Sequence, residues 1–425
     1  MTSAQLEFRP NSSSALPILA IGVIAVAAGF FHASSGAVAL GSVLIAAPLA
    51  VRLALWYAVK RLVVRRQAPE TAYEGDSIEV LIQIENRSFL PLFFPRVSEV
   101  FAPELHAQKD VLFAERVAPG EVAERAYTGD CLLPRGVYGI GPTAVAVSDP
   151  FGWFQARRDL EAPRPLKVYP RVHDIGIDER LGERISHVLD DLTRPAIGES
   201  NEFFSVREYR VGDALRKVHW GLTAHRGVPV VREHARTSTG DLTVFLDTYR
   251  LALTGVGRSS SLEYAVKIAA SFAAKALARG HRVELIAGDD ETTRVPAGSG
   301  SAHFQRILDL LVEVRPTGDA SLVEVVERRA RDVRPGTTAV VMVSRYLFHD
   351  ERFLSLLRGW RRQSARVVVV LFDARTFRRV WGHSEDEQLF LDSEEALRRF
   401  RAHGIDGFLV SCGAELTSVF AARAR

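Results

Sequence analysis

The densest group of chemically capable side chains lies between residues 198 and 234, where the chain reads GESNEFFSVREYRVGDALRKVHWGLTAHRGVPVVREH. Arginine, glutamate, aspartate and histidine recur there, and these groups can form bidentate ion pairs or transfer protons. Three arrangements remain open: a salt-bridged seam between neighbouring domains, a surface that recognises a protein partner, and the active site of a hydrolase or nuclease. The density of opposite charges favours the seam.

The three histidines of this segment, His219, His225 and His234, have no cysteine or histidine companion at the spacing of a zinc site. We therefore expect structural histidines and no metal ligand among them. Asp213 is expected to cap a helix over about residues 214–224.

Motifs of common enzyme classes are absent from the sequence. It has no G-x-S-x-G turn, no H-E-x-x-H helix and no Walker A loop. Residues 298–301 (GSGS) could form a loop before a helix, but the lysine of a phosphate-binding loop is missing. We therefore predict no catalytic residue and no cofactor.

The elements that must hold these groups begin with two apolar runs near the N-terminus. Residues 16–31 (LPILAIGVIAVAAGFF) and 36–51 (GAVALGSVLIAAPLAV) carry no charged side chain, and the second run continues past Arg52. A membrane-spanning helix needs about 20 apolar residues, with about 17 as the lower limit. The sequence therefore predicts a two-helix transmembrane hairpin over residues 1–66, with Leu16 to Val59 in the lipid membrane.

Two alternatives to the hairpin are less favoured. A cleaved signal peptide would leave the second apolar run behind as an anchor, and a buried soluble hairpin would show a polar face. Lys60, Arg61, Arg65 and Arg66 follow the second run, whereas the connecting segment has no Lys or Arg. The positive-inside rule therefore predicts a multi-pass protein of the cell membrane with its soluble domains in the cytoplasm.

Composition limits the remaining function classes. The chain has 425 residues, enough for two or three domains. Its 54 basic and 51 acidic residues leave a net charge of +3, which gives no electrostatic case for binding nucleic acid. Cys131 and Cys412 are too far apart in the sequence for a metal-ligand motif, and so low a cysteine count suits a reducing compartment.

Residues 67–171 have the pattern of short strands separated by turns. Ser77 to Glu85 (SIEVLIQIE) alternates apolar and polar residues with the period of a half-buried strand. Turn signals follow at Pro119-Gly120 and Asp149-Pro150. These features predict an all-β, sandwich-like module.

Residues 240–425 alternate short apolar strands with helical stretches, of which Leu262 to Arg279 is the clearest. The strands are expected at 241–247, 282–287, 338–343 and 367–372. This alternation predicts an α/β, Rossmann-like domain with a mostly parallel sheet that is covered on both faces. Residues 172–239 are predicted to be a charged segment that links the two modules.

The charged segment closely resembles the signature of the bacterial domain-of-unknown-function family 58. The pattern of that signature is similar to R-E-Y-x-x-G-D-x-x-R-x-I-x-W. The matching residues are Arg207, Glu208, Tyr209, Gly212, Asp213, Arg216 and Trp220. Residues 137–142, 149–154 and 168–170 also resemble sequence motifs that recur in that family. The resemblance implies a membrane hairpin, a β module and a von Willebrand factor A-like domain.

The resemblance implies a function only by association. Members of the family have no agreed activity, but they tend to be encoded beside MoxR-type AAA ATPases. We therefore expect a non-enzymatic, membrane-anchored cytoplasmic adaptor or scaffold that binds a protein partner, such as a MoxR-type ATPase or an envelope-assembly component. The alternative is a hydrolase or nuclease that uses the Arg207 to His234 cluster.

The resemblance to von Willebrand factor A domains also implies a place for Mg²⁺ at the C-terminal edge of the sheet, where hydroxyl and carboxylate oxygens are needed. Asp247 stands in the first ligand position. The other positions hold Tyr249, Leu251, Ala320 and Arg345. We therefore predict no metal ion, and we hypothesise that Arg345 pairs with Asp247 in its place. Asp319 and Ser321 remain alternative oxygen donors.

Overall fold

The structure is a computed structural model, and it divides into two compact units, Met1–Tyr169 and Pro170–Arg425. It describes residues 6–10, 15–113, 115–175, 196–208, 228, 230–236, 241–250, 252–288, 291–329, 333, 336–343, 347, 350–363, 365–379 and 393–421.

Two apolar helices begin the first unit, α1 (Ala15–Phe31) and α2 (Ser35–Lys60). The Ser34 side chain accepts a hydrogen bond from the backbone N–H of Ala37 and caps α2. Among the described residues, α2 is the one helix both long and apolar enough to cross a membrane, and α1 is shorter with 17 residues. This is weak evidence for a membrane anchor.

Glycines let the two helices approach each other closely. A Cβ atom on Gly29 would lie 2.7 Å from the backbone nitrogen of Val38, and one on Gly41 would lie 2.7 Å from that of Val26. A Cβ atom on Gly22 would lie 2.9 Å from a side-chain carbon of Ile45. Small residues at such contacts are the usual means by which apolar helices pack without a hydrophobic driving force.

The strands of the first unit form two sheets. They are β1 (Leu6–Pro10), β2 (Leu62–Gln67), β3 (Thr71–Tyr73), β4 (Ser77–Asn86), β5 (Leu92–Phe101), β6 (Ala107–Leu112), β7 (Arg116–Val117), β8 (Val122–Asp130), β9 (Gly136–Ser148), β10 (Phe154–Glu161) and β11 (Arg164–Tyr169). The larger sheet has the order β1-β10-β9-β11-β3, with β5 also paired to β9 and bearing β6 and β7. The smaller sheet has the order β2-β4-β8.

The two sheets share one interior. Strand β4, which forms where the alternating pattern predicts a strand, buries Ile78, Val80, Ile82 and Ile84 along one side. Ile82 and Ile84 belong to the same buried cluster as Val97 of β5 and Val145 of β9, so the sheets pack against each other.

The end of α2 is tied to the larger sheet by Arg158 of β10. Its guanidinium donates to the carbonyl oxygens of Val59 and Leu62, both at 2.7 Å, and to that of Lys60 at 3.2 Å. Burial lowers the pKa of the Arg158 guanidinium. Because the last carbonyls of a helix lack partners within the helix, a cation there satisfies them and opposes the helix dipole.

Residues 62–67 form strand β2 of the smaller sheet, although the predicted hairpin reaches residue 66. Arg66 is therefore buried inside the β module and does not add to the basic cluster after α2. Its guanidinium donates to a Glu99 carboxylate oxygen and to the Ile140 carbonyl oxygen, the latter at 2.9 Å. The Tyr127 hydroxyl donates to the other Glu99 oxygen at 2.6 Å, and burial followed by this bond raises the pKa of Tyr127.

The second unit contains a six-stranded sheet. Its strands are β14 (Asp241–Phe245), β15 (Arg282–Ile286), β16 (Arg294–Gly298), β17 (Thr338–Val343), β18 (Arg366–Phe372) and β19 (Asp406–Val410). Their order is β16-β15-β14-β17-β18-β19, in which β16 is antiparallel to β15 and the other pairs are parallel. The described part of this unit is thus a doubly wound α/β fold.

Helices cover both faces of this sheet. They are α3 (Ser261–Ala278), α4 (Ser301–Glu313), α5 (Leu322–Arg328), α6 (Glu351–Arg362), α7 (Ala374–Arg379), α8 (Ser393–Ala402) and α9 (Leu416–Ala421). Every residue of β17 is buried, as expected for a central parallel strand. Helix α3 forms where the sequence predicts one, and Gly280 follows it with a φ of +82°, a left-handed conformation that glycine adopts without strain.

The segment 172–239, predicted to be a charged linker, contains two described strands. Strands β12 (Ala196–Glu208) and β13 (Val230–Arg236) pair antiparallel in a separate two-stranded sheet. The described part of the segment is therefore ordered as a β ribbon.

The buried pair of Arg66 and Glu99 generates a stability prediction. Arg66→Met or Glu99→Leu alone should lower the free energy of unfolding by about 3–5 kcal/mol, because each leaves the other group buried without its charge partner. The double variant Arg66→Met, Glu99→Leu should lose less than either single variant. Denaturant unfolding of the full chain in detergent micelles measures this. Arg87→Ala, at an exposed pair with Glu85, is the matched control and should change little. Two single effects that simply add in the double variant would contradict the prediction.

Candidate functional site

Asp247 lies at the carboxyl edge of the parallel sheet, two residues after the end of β14. Open α/β sheets bind their ligands at this edge. The Asp247 residue is only 4% exposed, and its Oδ1 accepts a hydrogen bond from the backbone N–H of Tyr249 at 3.0 Å. The carboxylate therefore holds the turn that follows the strand.

A second loop is joined to this turn through backbone hydrogen bonds. The N–H of Gly318 donates to the Thr248 carbonyl oxygen and the N–H of Arg250 donates to the Gly318 carbonyl oxygen, both at 3.1 Å. A Cβ atom on Gly318 would lie 2.9 Å from the Thr248 hydroxyl oxygen, so the close approach requires glycine. The Thr248 hydroxyl in turn donates to the Ala287 carbonyl oxygen at 2.8 Å, at the end of β15.

The outer side of these joined loops carries charge. Arg250 and Asp319 form an ion pair at 3.4 Å, with side chains that are 63% and 88% exposed. An ion pair this exposed contributes about 0–1 kcal/mol to stability. Both groups are therefore available to an incoming surface at little cost to the fold.

The edge includes one more carboxylate that the sequence patterns did not single out. Asp373 follows β18, and its Oδ1 accepts hydrogen bonds from the Arg375 N–H at 3.2 Å and the Ser393 hydroxyl at 3.4 Å. The hydroxyl oxygen of Thr376, in the first turn of α7, accepts a hydrogen bond from the N–H of Cys412 at 2.8 Å. An aspartate immediately after an apolar strand was the signal for this residue. It holds the starts of α7 and α8 together.

The predicted metal-site positions are described only in part. Asp247 and Tyr249 are joined by the Oδ1 hydrogen bond, and Ala320, two residues beyond Gly318, packs against the buried core. Leu251 and Arg345 lie outside the described residues, so the pairing of Arg345 with Asp247 stays a hypothesis.

The two alternative oxygen donors have other partners. Asp319 pairs with Arg250, and the Ser321 hydroxyl accepts from the Glu324 N–H at 3.4 Å as the N-cap of α5. Within the part of the chain that the structure describes, no group of three or more His, Cys, Asp or Glu side chains could hold a metal ion. The predicted lack of a metal remains a prediction, because the loop after β17 is not described.

The family-signature residues fall largely outside the structural description. Arg207 and Glu208 lie at the end of β12, where their backbones pair with Val231 and Val230 of β13. Outside the described residues lie Tyr209, Gly212, Asp213, Arg216, Trp220, His219, His225 and the predicted helix over 214–224. The choice between a seam, a recognition surface and an active site therefore stays open for this cluster.

The architecture defines a class: a doubly wound α/β unit with a carboxyl-edge loop pair, in a chain with a β module and an apolar N-terminal helix. Residues 205–378, from within β12 to the last turn of α7, match the family described as protein of unknown function DUF58. This match supports the family resemblance of the signature. No curated protein matches the chain.

Solved structures align with about a quarter of the chain at low overall similarity. A CARDB domain from Pyrococcus furiosus is 12% identical, with a TM-score of 0.19, over 25% of this chain and 94% of that one. The C-terminal domain of wzt is 12% identical, with a TM-score of 0.19, over 25% and 73%. A β-glucosidase from Listeria innocua is 15% identical, with a TM-score of 0.16, over 25% and 16%. Scores this low identify no related fold.

The environment of Asp247 generates a prediction about metal binding. Titration of the full chain with Mg²⁺ or Mn²⁺ in a calorimeter should give no binding heat that depends on Asp247. Asp247→Ala should instead lower the free energy of unfolding by about 1–3 kcal/mol, because the partly buried N–H of Tyr249 loses its acceptor. Saturable Mg²⁺ binding that Asp247→Ala abolishes would overturn the predicted degenerate site.

Proposed function

We propose that the chain is a membrane-anchored cytoplasmic adaptor, in which a two-helix hairpin holds the β module at the membrane and an A-like α/β domain binds a protein partner. The observation that carries the anchoring is the pairing of β1 with β10. It places the residues before α1 in the same sheet as the residues after α2.

This pairing constrains how the helices can cross a membrane. The segment that enters α1 and the segment that leaves α2 are hydrogen-bonded into one unit, so both lie on the same side. If α2 crosses the bilayer, α1 must cross it in the opposite direction to return the chain. The 17 residues of α1 span about 25 Å, near the lower limit for a crossing.

Lipid is the environment that the helix surfaces require. Large apolar side chains are exposed along both helices, among them Ile24 and Phe30 of α1 and Val43 and Leu53 of α2. Positive charge at and after the end of α2 is supplied by Lys60, Arg61 and Arg65. Arg66 is not counted, because it is buried and paired with Glu99. This distribution supports a cytoplasmic β module.

The α/β unit supports the A-like assignment by its architecture. It has a largely parallel sheet between two helical layers, and Asp247 follows β14, the first strand of that sheet, as the A-like pattern requires. The turn after Asp247 is held by hydrogen bonds to Tyr249 and Gly318, and its exposed side carries Arg250 and Asp319. We place the docking surface there, and the family resemblance makes a MoxR-type AAA ATPase the expected partner.

The membrane topology is testable with single cysteines in intact cells. The background is Cys412→Ser; Cys131 can stay, because burial raises the pKa of its thiol to about 11 and keeps it unreactive. Ser35→Cys, at the exposed start of α2 next to the turn from α1, should react with a membrane-impermeant maleimide from outside the cell. Glu79→Cys, exposed on β4, should react only after permeabilisation. Labelling of both, or of neither, before permeabilisation would contradict the hairpin.

Partner binding is testable by site-specific photocrosslinking in cells that express the full chain. A photoreactive amino acid at Asp319 should capture an AAA ATPase, identified by mass spectrometry. The same amino acid at Asp159 is the control, because Asp159 also forms a surface ion pair, with Arg157 in the β module, and its side chain is 64% exposed. Arg250→Glu in the same chain should reduce capture from position 319. Equal capture from both positions, or none from either, would remove the docking surface from this edge.

A further inference from the structure

An apolar cavity of about 240 Å³ lies at the base of α2, inside the first unit. One wall is the last part of α2, from Val51 to Ala58. The other walls are residues 90–93, which lead from β4 into β5, and residues 147–151, which lead from β9 towards β10. The cavity is therefore formed jointly by a membrane helix and by two loops of the β module.

The one carboxylate in the cavity wall is already satisfied. Asp149 is buried, and its two oxygens accept the backbone N–H groups of Phe151 at 2.8 Å and Phe154 at 2.5 Å. Its charge stabilises the turn and is not offered to the cavity. A ligand of this cavity must therefore be apolar.

Exposed aromatic rings stand around this cavity. Phe151, in its wall, is 63% exposed and stacks on Trp153 with ring centres 4.7 Å apart. Phe89, next to the wall residue Leu90, is 70% exposed and contacts Tyr57 of α2 at 4.8 Å. Single exposed apolar residues are common, but a cluster beside a cavity marks an interaction surface.

Two cations lie beside aromatic rings at this end of α2. The Arg61 guanidinium lies over the Tyr57 ring, 5.4 Å from its centre, and the Lys60 ammonium lies 3.7 Å from the centre of the Trp56 ring. Aromatic rings with adjacent cations are the side chains that membrane proteins place at the level of the lipid headgroups.

The packing of the helices sets the depth of the cavity. The close contacts of α1 with α2 join Gly22 to Ile45, Val26 to Gly41 and Gly29 to Val38. The helices are therefore antiparallel, and each step back along α1 is matched by one step forward along α2. Extended to the start of α1, this register places the first residue of α1 level with Arg52. The cavity wall on α2 begins at that level, where the apolar hairpin ends and the β module starts.

We propose that this cavity is a binding site for one acyl chain of a bilayer phospholipid, with Phe89 and Phe151 immersed in the membrane interface. The proposal rests on the membrane anchoring proposed above and adds a lipid-contact surface on the β module. The cavity continues the lipid-facing surface of α2, its lining is apolar, and Arg61 lies where a headgroup phosphate would meet it. The Asp149-Pro150-Phe151-Gly152-Trp153 turn thus presents aromatic side chains to the membrane.

The immersion is testable with spin labels on the full chain, reconstituted in bilayers of phosphatidylethanolamine and phosphatidylglycerol. In a Cys412→Ser background, nitroxides replace Val43, Phe89, Phe151 or Leu105 through cysteine. Leu105 is the matched control, because it is 68% exposed in a turn beyond the other end of β5. Labels at 89 and 151 should be accessible to oxygen, as at 43, and the label at 105 to a water-soluble nickel chelate.

The outcomes separate the two proposals. If the label at 43 is accessible to the nickel chelate, the membrane anchoring fails, and this inference fails with it. If 43 lies in lipid but 89 and 151 behave like 105, the anchoring stands and the inference alone is overturned.

The cavity itself is testable with a phospholipid that carries a diazirine on its acyl chain. Irradiation should label residues 90–93 and 147–151 of the reconstituted chain. Ala54→Phe, which fills the cavity from α2, should abolish that labelling, whereas Ala50→Phe, on the exposed side of α2, should leave it unchanged. Labelling that persists in Ala54→Phe, or that is absent in the unmodified chain, would overturn the acyl-chain site. Labelling around Val43 confirms in each case that the variant is in the bilayer.

Discussion

The first unit depends on the side chain of Arg158. Its guanidinium donates to carbonyl oxygens in the last turn of α2 and to that of Leu62 in β2. Its strand, β10, pairs with β9 on one side and with β1 on the other. One strand therefore holds both the chain that enters the helices and the chain that leaves them. Hydrogen bonds to a charged group contribute about 1.5–3 kcal/mol each, and these three join the end of α2 and the start of β2 to β10.

The junction between α2 and the β module brings together side chains that are far apart in the sequence. Phe89, Phe151 and the cavity wall of α2 come from three separate segments, and each alone is an ordinary exposed or half-buried apolar residue. Beside the end of α2 they form one apolar surface, which is the surface that we propose meets the bilayer. The same junction removes Arg66 from this surface, because β2 turns it inward to Glu99.

At the carboxyl edge of the α/β sheet, polar side chains mainly form hydrogen bonds within the loops. A metal site needs several oxygens that converge on an open position, whereas several oxygens in the described part of this edge take part in hydrogen bonds of the loops. Asp247 receives the N–H of Tyr249, Thr248 donates to Ala287, and Ser321 caps α5. These polar groups stabilise the loops themselves, and the ion pair of Arg250 with Asp319 lies exposed on their outer side.

The sequence by itself determined the elements with a strong period or a strong apolar run. The alternation of residues 77–85 predicted β4, the helical stretch at 262–279 predicted α3, and the run from residue 36 predicted α2. These predictions succeed because side-chain burial with a fixed period is a local property. The sequence also identified the signature segment, part of which lies in the region that matches the family model.

Only the tertiary structure decided which residues meet. The pairing of β1 with β10 joins segments that are about 150 residues apart, and the contact of Gly318 with Thr248 joins two loops. The burial of Arg66 could not be read from a cluster of four basic residues, because a basic residue after a membrane helix has the same local pattern whether it faces lipid headgroups or a buried glutamate. Periodicity identifies the face of an element that is buried. The partner against which that face is buried is set by long-range packing, which leaves no local signal in the sequence.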